Sequence, residues 1–193
     1  MKSILVILLL LSASLKAQEI TNLEAMNSLL ENLCADISQK CDQEIVLINR
    51  SPSNLIYFNS RIEQFFTENG KTVSEDENSY YQKVVINIEN AVVNYKDIEK
   101  DGFLGDYYIN REITLTGNYI IKQNDKIKLT ENIYLTQKDS VNYDNINKIE
   151  NYSLPFTRGT LPSEPLTPSL LEPIIAVSSA VLTIILFFTV RSK

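Results

Sequence analysis

From Pro173 to Val190 the chain carries no charged side chain over eighteen consecutive residues. At ~1.5 Å per residue in a helix, this run with its flanks covers most of a ~30 Å hydrocarbon core. Its polar members, Ser178, Ser179, Thr183 and Thr189, can each return a hydroxyl to their own helix backbone, so no side chain requires water. The apolar residues follow no helical stripe, and no face is reserved for solvent, whereas a core helix in a small domain keeps a polar face. The run reads as a transmembrane helix, 173–190. The tail after it, 191–193, holds Arg191 and Lys193, which suits the cytoplasmic side of a membrane.

The other end has the pattern of a signal peptide, residues 1–17. Lys2 gives a short basic start, "ILVILLLLSASL" is an apolar stretch of the right length, and "LKA" before Gln18 resembles a small-residue cleavage site. An uncleaved N-terminal anchor is the competing reading. No cysteine follows the apolar stretch, so lipid attachment there is not expected. The two ends together predict a single-pass protein of the cell membrane with its domain outside the cytoplasm, in the periplasm, and its C-terminus inside.

The exported part, 18–158, has the length of one domain. The chain has 18 basic and 24 acidic residues; setting aside Lys2, Lys16, Arg191, Lys193 and Glu172 leaves 14 against 23, a formal −9. A surface of that average charge repels phosphate backbones and anionic headgroups, and no nucleic-acid partner is expected.

Local patterns predict an α+β fold. Thr21 and Glu24 form a capping box, and Leu23, Met26, Leu30, Leu33 and Ile37 then recur at three-to-four spacing along one helical face. "EIVLIN", Glu44 to Asn49, reads as a short strand ended by Ser51-Pro52. A second helix is expected from about Ser53 to Asn69, burying Leu55, Phe58, Ile62 and Phe65, with Gly70 as its C-terminal cap.

Beyond Gly70 the period becomes two. Val84, Ile86 and Ile88 share one parity while Ala91, Val93 and Tyr95 share the other, which predicts a bulge near Glu89-Asn90. Tyr107, Ile109, Ile113, Leu115, Tyr119 and Ile121 share a parity interrupted by Arg111 and Gly117. Asn124-Asp125 turns the chain into Ile127, Leu129, Ile133 and Leu135. The expected fold is two N-terminal helices packed on an antiparallel β-meander, plus the C-terminal transmembrane helix. Between domain and helix, 159–172, Pro162, Pro165 and Pro168 lie three apart, as a polyproline II stalk requires.

Residues for chemistry are sparse. The chain has no histidine, which removes histidine-based triads and zinc sites, and no catalytic residue, cofactor or metal site is assigned. Cys34 and Cys41, the two cysteines, suit a disulfide in an exported domain, provided the first helix ends near Gln39-Lys40; two inert thiols are the alternative. "DIEKDG" at Asp97 to Gly102 imitates the start of a calcium loop, but its twelfth position is Tyr108, and a solvated turn fits better. "SEDENS", Ser74 to Ser79, reads as loop surface.

The order helix, strand, helix, antiparallel meander over Glu19 to Tyr143 resembles the periplasmic α+β domains of the LPS-assembly lipoprotein and TolB N-terminal types. The resemblance implies a non-catalytic assembly or scaffold role with an envelope protein partner, and it carries no functional residue over. It departs at the anchor, since those lipoproteins are held by an N-terminal lipidated cysteine. Two other functions compete: an envelope enzyme using carboxylates or a Ser-Lys pair, and a surface protein whose "LPSEP" and apolar tail form a sorting signal. The second lacks the Thr-Gly that transpeptidation needs, having Glu164-Pro165 instead.

Overall fold

Helix α1, Asn22–Lys40, opens on the capping box read above: the Glu24 N–H donates to Thr21 Oγ1 at 3.2 Å and the Thr21 N–H to Glu24 Oε2 at 2.7 Å. The computed structural model describes residues 19–74, 81–102, 105–162 and 168–191. They fall into two separate units, the first ending at Leu161 and the second beginning at Pro162. Met26, Leu30, Leu33 and Ile37 are buried along one face of α1, each burial worth roughly 1.5–3 kcal/mol.

Strand β1, Glu44–Asn49, follows. The second helix begins later than its pattern predicts, because Ser53–Leu55 is a 3-10 turn closed by the Leu55 N–H on the Pro52 carbonyl at 2.8 Å. Helix α2 proper is Tyr57–Glu68 and buries Phe58, Ile62, Phe65 and Phe66. Gly70 closes it at φ +80°, with the Lys71 N–H on the Phe66 carbonyl and the Gly70 N–H on the Thr67 carbonyl, both at 3.0 Å. That pair of bonds is the Schellman arrangement, and the left-handed backbone at its centre favours glycine.

Strands β2 (Thr72–Ser74), β3 (Gln82–Lys100), β4 (Tyr107–Gln123) and β5 (Lys126–Asn142) complete the main sheet. Its order is β2-β1-β3-β4-β5, and a two-residue strand β6, Gly159–Thr160, lies beside β3. The β3-β4-β5 portion is the expected antiparallel meander. The sheet as a whole is mixed, however: β1 pairs in parallel with β3 from Ile45↔Gln82 to Asn49↔Ile86, and with β2 on its other side. Parallel neighbours need a crossover of about a dozen residues or more, and the segment containing α2 supplies it.

The register shift between Ile88 and Asn90 is the bulge that the parity change requires, and Val84, Ile86, Ile88, Ala91, Val93 and Tyr95 are all buried. A second shift falls between Lys96 and Ile98, at Asp97 with φ +51°. Asn124 and Asp125 make the β4–β5 turn at φ +52° and +59°, values that fit the type I′ geometry of tight hairpins. "DIEKDG" therefore begins inside the end of β3 and continues into its turn; "SEDENS" lies, apart from Ser74, outside the described residues.

After β5 the chain returns to the helices. Helix α3, Ile146–Ile149, and a 3-10 turn at Pro155–Thr157 bury Ile146, Ile149 and Phe156. The Phe156 and Phe58 ring centroids stand 4.9 Å apart. Gly159 and Thr160, which composition assigns to the stalk, belong to the sheet through their pairing with Val93 and Asn94.

Cys34 and Cys41 are free thiols, which corrects the disulfide expectation. Helix α1 does end at Lys40, but Cys41 is its C-cap, so seven rises of ~1.5 Å still hold the two Cα atoms about 10 Å apart, beyond bridging distance. Burial pushes the Cys34 thiol up to about 12, and burial likewise raises Cys41.

The second unit is helix α4, Pro168–Arg191, 24 residues long. Pro173 and Val190, the expected limits of the span, both lie inside it, and Arg191 is its last residue; Lys193 is outside the described residues. Its described side chains run from 174 to 189 and every one is exposed. Among the described residues no helix is long and apolar enough to cross a membrane.

Candidate interaction surface

Several of the domain's charged groups are paired with one another. Arg111, on the core face of β4, is 1% exposed. It meets Asp139 of β5 in a two-pronged ion pair, with Nε on Oδ1 at 2.8 Å and Nη2 on Oδ2, because the register places the two residues opposite each other. Its Nη1 donates to the Ile20 carbonyl at 3.0 Å and to Asn22 Oδ1 at 2.8 Å. Asn22 Nδ2 in turn donates to the Tyr95 hydroxyl at 2.8 Å and the Thr157 carbonyl at 2.7 Å. Burial, ahead of every other influence, raises the Tyr95 phenol to about 12. Glu19 adds a contact from the same side, accepting from the Asn142 N–H at 2.8 Å. This buried network fastens the beginning of the domain to its end, and every bond in it is internal.

Lys40, at the end of α1, is a second hub. Its Nζ meets Asp36 at 2.7 Å, the Tyr119 hydroxyl at 2.9 Å and Glu131 at 3.1 Å, and these partners raise its pKa. On the outer face of the sheet Glu112 stands between Lys96 at 2.9 Å and Lys138 at 3.0 Å. A shallow depression of about 360 Å³ opens beside them, lined also by Asp97 and Asp139.

These arrangements favour holding charge over moving protons. The carboxyls displaced from their ordinary range, Glu24, Glu112, Asp125 and Glu131, are all lowered, by Thr21, Lys96, Lys83 and Tyr119 respectively. A general acid would need the opposite displacement. The engaged lysines meet carboxylates, a tyrosine, an asparagine amide oxygen or backbone carbonyls, as Lys148 does with Asn145 Oδ1 at 2.8 Å and Lys71 with the Cys41 and Asp42 carbonyls at 3.0 and 3.1 Å. Among the described residues no group of three or more His, Cys, Asp or Glu could hold a metal ion.

What remains open is surface. Strand β5 forms one edge of the sheet over 17 residues. Its middle, Asn132 to Gln137, carries no charge, and Tyr134 there is 70% exposed. At the β4–β5 turn Lys126, Ile127 and Lys128 are all exposed, Ile127 by 62%. Sequence patterns alone do not reveal the Arg111 network; the interruption of β4's apolar parity by Arg111 is its one visible trace.

No family model and no curated protein matches the sequence. Among solved structures the chain is similar to a minor lipoprotein from Acinetobacter baumannii, at 19% identity and a TM-score of 0.34 over 53% of this chain and 67% of that one. It is also similar to a neuraminyllactose-binding hemagglutinin homolog from Helicobacter pylori, at 12% identity and a TM-score of 0.33 over 53% of this chain and 66% of that one.

Proposed function

We propose that this chain is a membrane-anchored, extracytoplasmic accessory or scaffold protein of the cell envelope that acts by binding a protein partner and not by catalysis. The observation that carries the anchor is helix α4. Ten large apolar residues between Ile174 and Phe188 are exposed, on all sides of the helix, an arrangement costly in water and favourable in lipid. The hydroxyls of Ser179, Thr183 and Thr189 each donate to a carbonyl of their own helix, Ala176, Ser179 and Ile185, at 2.8 to 2.9 Å, as polar groups in hydrocarbon must. The sequence continues the uncharged run to Pro173 and Val190 on either side. With the signal-like start and the basic end, the orientation is domain out and tail in.

The non-catalytic role is supported by the pairing of the domain's buried and clustered charges, and by the open β5 edge, where a partner strand could add. The enzyme reading would need a carboxyl held protonated or a lysine desolvated so that its amine is neutral.

The test is protease accessibility in intact cells carrying a C-terminal epitope on the chain. Protease added outside the cytoplasmic membrane is expected to digest the domain while the epitope stays protected, and the chain is expected to stay with membranes through alkaline carbonate. Digestion only after lysis would reverse the orientation, and release by carbonate would remove the anchor.

A further inference from the structure

We propose that the β4–β5 hairpin end of the domain is a contact site for an anionic bilayer surface, with Ile127 entering the headgroup region and Lys122, Lys126 and Lys128 holding its acidic groups. The turn at Asn124 and Asp125 brings Lys126, Ile127 and Lys128 to the tip, where all three are exposed, beside Lys122 on the paired strand. Among the described residues none of these three lysines forms an ion pair, unlike Lys40, Lys83, Lys96 and Lys138.

The one aspartate of the turn, Asp125, is neutralised by Lys83 at 2.9 Å. Among the described residues at this end, Asp42 accepts from Gln123 Nε2 at 3.4 Å and Glu44 from the Tyr81 hydroxyl. In a chain of formal charge −6, a lysine-bearing end orients the molecule, because an anionic surface repels the rest and attracts this end. An exposed isoleucine between lysines, with Tyr81 also 45% exposed at this end of the sheet, is the chemistry of a membrane interface.

The tip is also free to make the contact. Glu19 to Asn22 and Thr157 to Thr160 pack at the opposite end, near Asn142 and Tyr95. At ~3.3 Å per residue β5 separates the two ends by about 55 Å.

The full-length chain, purified and held in nanodiscs of phosphatidylcholine, is mixed with sedimenting vesicles of phosphatidylcholine containing phosphatidylglycerol, or of phosphatidylcholine alone. The disc arm rests on the anchor proposed above. If the chain stays soluble without discs or detergent, that anchor fails and the same sedimentation is done on the free chain, which reads the tip by itself. Capture by the anionic vesicles alone is expected. At about fivefold per lysine, the triple substitution of Lys122, Lys126 and Lys128 to Gln should weaken it roughly a hundredfold, and Ile127→Ser should weaken it further. Lys100→Gln with Lys148→Gln, at the other end, should leave it unchanged. Equal capture by neutral vesicles, insensitivity to the triple substitution, or an equal loss with the control pair would overturn the proposal. So would competition by soluble polyglutamate with no effect of Ile127→Ser, which would point to an acidic protein instead.

Discussion

Arg111 is almost fully buried, 1% exposed, and its environment determines what its removal does. A guanidinium taken from water is stable only while its partners remain, so losing one partner costs more than losing the pair. Asp139 is 31% exposed at its side chain, which places the cost of Asp139→Ala near ~3 kcal/mol, the low end for a broken buried pair. Arg111→Met combined with Asp139→Leu should recover more than half of that loss, since an apolar pair leaves no stranded charge. Urea unfolding with an unchanged slope measures both. A loss below about 0.5 kcal/mol for Asp139→Ala would mean that solvent already screens the pair, as at ordinary surface ion pairs. The same residue shows how a sequence reading loses information: Arg111 appears as a break in an apolar parity, but that its partners are Asp139, Asn22 and Ile20 follows only from register and from the path of the chain before α1.

At the level of elements, the second break in that parity has a different cause. A Cβ built at Gly117 would meet the Asn87 carbonyl oxygen at 2.0 Å and the Ile88 Cα at 3.1 Å, next to the bulge between Ile88 and Asn90. Glycine is what lets the bulged strand approach so closely. Gly117→Ala should therefore destabilise the domain by about 2 kcal/mol, as overpacking does, with faster hydrogen exchange concentrated in β3 and β4 around residues 86–91 and 114–118; unchanged exchange there would show that the strands can separate at no cost. The bulge, the capping box at Thr21, the Gly70 cap and the Asn124-Asp125 turn were legible because each is set by a few adjacent residues. The parallel pairing of β1 was not, because six residues of "EIVLIN" carry no mark of which strand lies beside them. β6 was hidden too, since two residues have no period, and the prolines nearby suggested a stalk. The cysteines misled through compartment, as export favours a disulfide that an intact helix forbids. Net charge concealed its own distribution: an acidic average gave no sign of the unpaired lysines at the hairpin tip.

On the scale of the whole molecule, the decisive matter is where the domain stops and the proposed anchor begins. Asn22 bonds the Thr157 carbonyl, Phe156 fills the core beside Phe58, and Gly159-Thr160 pair with β3, so everything that closes the first unit lies at or before Leu161, where that unit ends. A chain cut after Pro162 retains all of it and loses only the prolines beyond and α4. That truncated chain should be soluble without detergent and melt in a single cooperative transition, while the full chain needs detergent or lipid. A cut after Asn151 is the contrasting case. It removes Phe156, worth ~3–5 kcal/mol by analogy with truncating a core aromatic, and leaves the Asn22 amide without its carbonyl, which adds ~1–3 kcal/mol. Against a total stability of about 5–15 kcal/mol, the shorter chain should melt far lower or remain unfolded. Circular dichroism with calorimetry on the two truncations separates the outcomes. If the longer one aggregates or loses its sheet signal, α4 belongs to the fold of the domain, and the anchor and the outward orientation of the domain fall together.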